Sequence, residues 1–319
     1  MINPLIRGLS PVVQFILFLG ILFICAIIGA GAAMGVGSVF FNLPLEELPQ
    51  MISDPQSKHA QALIWMNNTT QLFSFLLPAL LFYVLLGSKI LHPLLKNTGG
   101  IMLLFAPVLI LFANGLIDLS SKINHVLIPV GSSLEAMVKP SEELAEKLSH
   151  IFLNDESGVS IWLLVFSMAI VPAISEELVF RGILQPLFGR MTRNIHVGIW
   201  TSAFVFSVIH MQFYGFLPRL FLGAILGYLV IWSGSLWTAV FAHFVNNALA
   251  VVMYKTYGSL ETPEDAALSQ WYGYLISGLV FAGLVVWFIR HSKWPWMSFE
   301  YLGIVENKIK SASDQKLNI

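Results

Sequence analysis

The feature that most constrains this chain is a series of long apolar runs, each close to the roughly 20 residues that a helix needs to cross a bilayer. Hydrophobic residues make up 56% of the 319 residues and charged residues only 11%, against about 25% charged in an average globular protein. Because lipid offers the backbone no hydrogen-bond partner, such runs are predicted to span the membrane as helices. Hydropathy predicts about eight spans, at residues 11–37, 62–87, 99–120, 158–188, 196–214, 216–233, 235–254 and 271–290. We therefore expect an all-α, polytopic membrane helix bundle.

Two segments need separate interpretation. The first apolar run, from Pro11 to Met34, is longer than the roughly 7–15-residue core of a signal peptide, so we expect it to be retained as a helix. The long connection at 121–157 contains the amphipathic stretch SEELAEKLSHIF, which is expected to lie at the surface.

The distribution of lysine and arginine among the connections predicts that both termini are cytoplasmic. With the N-terminus inside, ten of these residues fall in inside segments and six in outside segments, and the remaining one, Arg181, lies within a span. The net charge of −1 provides no basic field, so we expect membrane lipids and no nucleic acid as partners.

Strongly polar groups are rare at membrane depth and usually functional, and three spans carry them. They are Glu176, Glu177 and Arg181 in the fourth span, His210 in the fifth, and His243, Asn246 and Asn247 in the seventh. Glu176 and His210 each lie 14 residues from the predicted inside end of their helix, which is roughly 21 Å along the axis. His243 and Asn247 lie 8 and 12 residues after Ser235, which is roughly 12 and 18 Å. Because each polar group needs a partner in lipid, we expect the three helices to bring these side chains together.

Helix geometry divides the two glutamates between two roles. Glu177 and Arg181 are four residues apart, so they can pair on one face of the helix. Glu176 points about 100° away around the helix and stays available for chemistry. Pro172 cannot donate a backbone N–H and is expected to bend the helix beside the site.

A carboxylate and imidazoles can activate a water molecule for attack on a carbonyl. We predict that Glu176 and His210 activate the water, and that His243 and Asn247 donate hydrogen bonds to the oxyanion. In the alternative, Glu176, His210 and His243 bind a divalent metal such as zinc, which then activates the water. The zinc signature H-E-x-x-H and the serine signature G-x-S-x-G are both absent. The residues therefore predict a hydrolase and leave its metal dependence open.

Three short motifs occur in order on successive predicted helices. EELVFR matches E-E-x-x-x-R, FSVIH matches F-x-x-x-H at Phe206 and His210, and HFVNN matches H-x-x-x-N at His243 and Asn247. In these motifs the chain resembles the CPBP family of intramembrane proteases. That family includes the type 2 CAAX prenyl endopeptidases and bacterial proteins linked to bacteriocin self-immunity. The resemblance covers about residues 158–255.

The resemblance implies an intramembrane endopeptidase that needs no metal cofactor. It implies that Glu176 is the catalytic base and that His210 helps to hold the water. It places His243 and Asn247 on the oxyanion side. The implied partners are peptide or protein substrates at the membrane, including lipidated ones.

The resemblance also implies an organisation of the chain. Glu177 and Arg181 would have a supporting role, either structural or in orienting the substrate. Residues 158–255 would form the catalytic core. The N-terminal transmembrane helices and loops would occupy 1–157, and the last helix and a cytoplasmic tail would occupy 256–319, all within one membrane domain.

Two other classes of function stay open. A non-catalytic scaffold or bacteriocin-immunity protein of the same fold would be favoured by loss of a motif residue, and none is lost. A transporter would use the buried acids, but the sequence lacks the paired repeats common in that class. Gly223 and Gly227 have the spacing that permits close helix contact. The short chain, without an organelle-retention tail, favours a prokaryotic plasma membrane.

Overall fold

The computed structural model describes residues 9–86, 95, 100–128, 131–154, 158–258 and 271–292. Within these ranges the chain is helical and contains no β-strand. The helices are α1 (Pro11–Phe41), α2 (Leu48–Ser53), α3 (Ala60–Gln71, Leu72–Leu76 and Leu77–Leu86), α4 (Ile101–Leu127), α5 (Ser133–Leu153), α6 (Ile161–Val165, Phe166–Ile170, Val171–Val179, Phe180–Leu184 and Gln185–Thr192), α7 (Ile195–Ile209), α8 (Phe216–Ser233), α9 (Leu236–Tyr257) and α10 (Trp271–Arg290).

Seven of the described helices are long and apolar enough to cross a membrane, namely α1, α3, α4, α6, α8, α9 and α10. Helix α7 matches the remaining predicted span, but its 15 residues extend only roughly 22 Å. The prediction that this span runs to residue 214 was wrong, because α7 ends at Ile209. Met211 adopts a left-handed backbone conformation with φ of 53°, which a right-handed helix cannot continue. A short 3₁₀ turn, Phe213–Gly215, then leads into α8.

Helix α6 occupies the centre of the bundle. Protein buries 61% of its most apolar stretch, against 22% for α1 and 17% for α10. The exposed apolar sides of the outer helices suit contact with lipid, and the chain is an integral membrane protein. The cytoplasmic location of both termini stays a prediction, because residues 1–8 and 293–319 lie outside the described ranges.

Helix α8 packs closely on its neighbours through two glycines. A Cβ atom added at Gly223 would lie 3.1 Å from the Cβ of Ala203 on α7. One added at Gly227 would lie 2.9 Å from the Ile199 side chain and 2.6 Å from Gln185 Oε1. The predicted use of these glycines for close helix contact is confirmed.

Three wide, π-helical turns interrupt α3 and α6, and each ends two residues before a proline. In each turn the residue that precedes the proline donates its N–H to the carbonyl five residues back. These bonds run from Leu77 to Leu72 before Pro78, from Val171 to Phe166 before Pro172, and from Gln185 to Phe180 before Pro186. A proline ring clashes with the carbonyl four residues earlier, and a wider turn relieves that clash. The helix therefore accommodates Pro172 by widening one turn, and the bend expected beside the site stays a prediction.

The amphipathic stretch in the connection at 121–157 forms α5. Ser132 accepts the backbone N–H of Glu135 and caps the N-terminus of this helix, as short polar residues commonly do. The other end buries Ile151, Phe152 and Leu153 in a cluster that includes residues of α3. Helix α5 is thereby fixed against the bundle while its polar face stays exposed.

Candidate active site

The middle segment of α6, Val171–Val179, lies between two π-helical turns and carries both glutamates. Glu176 is 7% exposed and Glu177 is 0% exposed, and Arg181 in the following turn is 1% exposed. Burial of a charge without a partner is very costly, so each of these groups is expected to be paired. Their contacts define the site.

One oxygen of Glu177 accepts two hydrogen bonds. Arg181 Nη1 donates to Oε1 across 2.7 Å, so the ion pair predicted from the four-residue spacing is confirmed. His243 Nδ1 lies 2.8 Å from the same oxygen. Because an ionised carboxylate can only accept, the hydrogen bond places the proton on Nδ1 of this imidazole. The second oxygen, Oε2, is buried and has no hydrogen-bond partner in the described part of the chain.

Arg181 joins three helices. Its Nη2 donates to the Gly223 carbonyl oxygen on α8 across 2.9 Å, and its guanidinium lies 4.9 Å from the ring centre of Phe206 on α7. That ring also packs edge-on against the imidazoles of His210, at 4.9 Å, and His243, at 6.1 Å. The motif phenylalanine therefore acts as a packing centre between the polar side chains.

Glu176 faces the other edge of the His243 ring. Its Oε2 lies 4.0 Å from His243 Nε2, which is too long for a direct hydrogen bond. A water molecule about 2.8 Å from each atom would form both hydrogen bonds, with an angle near 90° at its oxygen. The other oxygen, Oε1, accepts from Gln71 Nε2 on α3 across 2.7 Å. The carboxylate is thus held on one side and left open towards the imidazole on the other.

His210 and Asn247 lie beside this pair without bonding to it. His210 follows the last residue of α7, and its Nδ1 lies 2.7 Å from the Phe206 carbonyl oxygen. It interacts electrostatically with Glu176 and with His243. Asn247 is half-buried one turn beyond His243, and its Oδ1 accepts from Asn246 Nδ2 across 3.2 Å. Their catalytic roles stay predictions.

Sequence reasoning missed the contribution of α3. Gln71 binds Glu176, and one turn earlier the buried Asn68 donates to Ser167 Oγ on α6 across 2.7 Å. Both polar residues belong to the run NNTTQ, at residues 67–71 within the predicted second span. A polar run inside an apolar helix was the available signal.

An apolar groove of about 620 Å³ lies next to the site. It is lined by Leu103, Leu104, Ile170, Ala173, Ile174, Trp237, Val240, Phe241 and Phe244. Ala173 and Val240 each precede a site residue, Glu176 or His243, by three residues, which is about one helical turn. Leu104, a lining residue, is 68% exposed, so the groove opens to the outside of the bundle.

The three side chains of the alternative metal set, Glu176, His210 and His243, do not fit one ion in this arrangement. Across the part of the chain that the structure describes, no group of three or more His, Cys, Asp or Glu side chains is close enough to share a metal. We therefore derive no reaction step through a metal.

Comparison with known proteins supports the resemblance seen in the motifs. Residues 158–249 match the family described as type II CAAX prenyl endopeptidase Rce1-like. The resemblance stated from the three motifs is confirmed for this segment, which contains every predicted site residue. No solved structure matches the chain.

Three proteins of Bacillus subtilis (strain 168) are similar to parts of the chain. The uncharacterized protein YpbD is 26% identical over 132 residues, covering 37% of this chain and 64% of that protein. The uncharacterized protein YyaK is 29% identical over 152 residues, covering 42% and 50%. The sporulation-killing factor biosynthesis protein SkfC is 33% identical over 124 residues, covering 34% and 25%. The chain therefore matches less than two thirds of the length of each of these relatives, and only a quarter of SkfC.

Proposed function

We propose that this protein is an intramembrane endopeptidase that hydrolyses peptide bonds of membrane-associated or lipidated proteins. Glu176 would activate the attacking water, and no metal would take part. The observation that carries the proposal is the 4.0 Å gap between Glu176 Oε2 and His243 Nε2, in a buried site whose imidazole is oriented by Glu177. The gap suits one water molecule held by both groups.

The reaction would begin with proton transfer from this water to Glu176. The water oxygen attacks the carbonyl carbon of the substrate, and the carbonyl oxygen becomes an oxyanion. Glu176 then returns the proton to the leaving nitrogen as the carbon–nitrogen bond breaks. The products are a carboxylic acid and an amine, which become a carboxylate and an ammonium when the acid's proton passes to the amine, and Glu176 ends as the carboxylate with which it began.

The supporting roles follow from the hydrogen bonds already made. His210 donates Nδ1–H to the Phe206 carbonyl, so its Nε2 is an acceptor suited to help hold the water. A protonated His243 would keep Nδ1–H on Glu177 and offer Nε2–H to the oxyanion. Asn247 would offer a second donor from its amide nitrogen, since its Oδ1 is occupied by Asn246. Preorganised donors of this kind stabilise an oxyanion most strongly where water is excluded.

The apolar groove supports a substrate that reaches the site from the lipid phase. Its walls belong to α4, α6 and α9, and two of these helices also carry Glu176 and His243. If the aliphatic chain or apolar helix of a substrate lay in this groove, the polar group at its end would lie about one helical turn from the proposed water. The relative SkfC is named for biosynthesis of a sporulation-killing factor, and a biosynthetic role is compatible with peptide processing. A prokaryotic plasma membrane is the proposed location, and the bacterial source of the three relatives supports it.

The test is cleavage of quenched fluorescent peptides, lipidated and plain, by detergent-purified protein with and without a chelator. We expect Glu176→Gln to abolish cleavage, because the amide cannot accept the proton of the water, while thermal unfolding stays unchanged. Glu143→Gln, an exposed glutamate on α5 with 65% of its side chain accessible, is the matched control and should retain full activity. Cleavage that survives Glu176→Gln would refute the mechanism.

The other outcomes separate the alternatives. Activity lost with chelator and restored by a divalent ion would require a metalloprotease. Absence of cleavage for every peptide would favour a non-catalytic scaffold or immunity protein of the same fold.

A further inference from the structure

Arg219, in the first turn of α8, is a half-buried cation that the proposed mechanism does not use. Its Nη1 donates to the Gln212 carbonyl oxygen across 2.7 Å, and its Nη2 donates to the Gln212 side-chain oxygen. Both acceptors are neutral. No carboxylate oxygen of a described residue lies within the 4.0 Å of an ion pair with this guanidinium. A cation placed in a membrane-spanning helix without a charged partner is costly and commonly functional.

The surroundings of Arg219 hold its guanidinium in one position. A Cβ atom added at Gly215 would lie 2.8 Å from Nη1 and 2.9 Å from both Cζ and Nη2. The guanidinium therefore lies directly against the backbone of Gly215, where any larger residue would displace it. Gly215 has a φ of −98°, which residues with a side chain also adopt. The backbone conformation therefore does not require glycine at this position, and it is the missing side chain that leaves room for the guanidinium.

The position of Arg219 connects it to the site. The short segment from His210 to Gly215 joins the end of α7 to the start of α8, so the guanidinium is tethered to the same turn that carries the site imidazole. Glu142 of α5 and, more weakly, Glu176 are near enough to act electrostatically on the Arg219 guanidinium, and neither forms an ion pair with it. Glu142 is itself engaged, since its carboxylate accepts the backbone N–H of Tyr214 across 2.8 Å.

We propose that Arg219 binds a carboxylate of the peptide substrate and thereby selects substrates with a negative charge near the scissile bond. Guanidinium groups bind carboxylates through paired, charge-assisted hydrogen bonds. A bound carboxylate would provide the directly hydrogen-bonded charged partner that Arg219 lacks among the described residues, and Arg219 would offset the repulsion between that carboxylate and Glu176. This inference rests on the proposed peptidase function, because it assigns a subsite of the same centre.

The carboxylate could be the free C-terminus of a peptide or an acidic side chain, and the test separates these sources. The probe is a fluorescent hexapeptide of alanine and leucine in three forms: the free C-terminal acid, the C-terminal amide, and the amide with one glutamate. Equilibrium binding is measured on full-length Glu176→Gln protein in detergent, so that it does not depend on turnover. We expect at least one anionic form to bind on the order of tenfold more tightly than the amide. Tight binding of the acid alone identifies the C-terminus, and tight binding of the glutamate peptide identifies a side-chain carboxylate.

Two variants, each added to Glu176→Gln, then assign the preference to Arg219. Arg219→Gln should abolish the difference between the anionic and amide forms while leaving binding of the amide unchanged. Gly215→Ala keeps the charge but displaces the guanidinium, so it should reduce the same difference. Lys139→Gln, an exposed cation on α5 with 57% of its side chain accessible, should leave the difference intact. Thermal unfolding of each variant reports whether the fold is retained.

The inference is overturned if all three peptide forms bind equally, or if Arg219→Gln weakens the amide as much as the anionic forms. The latter result would mean a structural role for the cation. Failure of the proposed function would give a different result. The wild-type protein would bind the anionic peptides preferentially but would cleave none of the lipidated or plain substrates.

Discussion

The ion pair of Glu177 and Arg181 has exposed fractions of 0% and 1%, so its removal should have a large and specific effect on stability. Arg181→Met keeps an unbranched side chain of similar length but leaves Glu177 charged, with His243 as its only remaining donor among the described residues. It also leaves the Gly223 carbonyl without the Arg181 donor. Removing one partner of a buried pair costs about 3–5 kcal/mol, and we expect a loss of that size in the free energy of unfolding.

A second substitution, Glu177→Gln, tests whether the unpaired charge of Glu177 causes this loss of stability. Glu177→Gln removes the buried charge yet keeps an oxygen that can accept from His243 Nδ1. The double variant Arg181→Met with Glu177→Gln should therefore be more stable than Arg181→Met alone, with a coupling energy of about 1–3 kcal/mol. The free energies are measured by reversible titration of the micelle-solubilised protein with sodium dodecyl sulfate, followed by circular dichroism.

A matched pair exists elsewhere in the chain. Lys139 and Glu143 on α5 have the same four-residue spacing and a 3.8 Å separation, but their side chains are 57% and 65% exposed. Lys139→Met should change the free energy of unfolding by no more than about 0.5 kcal/mol, because exposed pairs contribute little. If Arg181→Met costs no more than Lys139→Met, or if the two changes at the buried pair are additive, the argument from burial is refuted.

Two further predictions test the packing and the site. Gly227→Ala should reduce the free energy of unfolding by about 1–3 kcal/mol, because the new Cβ would lie 2.6 Å from Gln185 Oε1 on α6 and 2.9 Å from the Ile199 side chain on α7. Gly20→Ala in α1, where a Cβ meets nothing within 4 Å, should leave it unchanged or raise it by up to about 1 kcal/mol. Equal losses from both substitutions would contradict the close approach of α8 to α6 and α7. Gln71→Leu removes the donor to Glu176 Oε1 and should lower kcat/KM for peptide cleavage by about tenfold or more. The control is Gln61→Leu, at an exposed position of the same helix, which should leave kcat/KM unchanged. Full activity in Gln71→Leu would mean that this hydrogen bond does not orient the carboxylate.

The structure shows one contact that the motifs did not predict, and the catalytic roles predicted from the motifs stay predictions. We expected Glu176 to act with His210, and His243 to lie on the oxyanion side. In the structure His243 Nε2 lies 4.0 Å from Glu176 Oε2, and His210 donates its Nδ1–H to the Phe206 carbonyl. The spacing within each motif carries no information about this choice, since the two histidines lie on different helices.

Much of the local structure follows from the sequence alone. Apolar runs of membrane length can satisfy their backbone hydrogen bonds in lipid only as helices, so they predicted the membrane-spanning helices. Of the eight predicted spans, seven correspond to long apolar helices and one to the shorter helix α7. The four-residue spacing of Glu177 and Arg181 determined their ion pair, because positions four apart lie on the same helix face. The π-helical turns before Pro78, Pro172 and Pro186 have an equally local cause.

Only the tertiary structure decided which groups from different helices meet. His243 bonds to Glu177 rather than Glu176, and Gln71, 105 residues earlier in the chain than Glu176, completes the site. The rotation and sliding of one helix against another depend on side-chain packing summed over the whole interface, including the close contacts at Gly223 and Gly227. Helix periodicity is set within each turn of the backbone, so it can be inferred from the sequence, whereas the pairing of the site residues results from all of these contacts together.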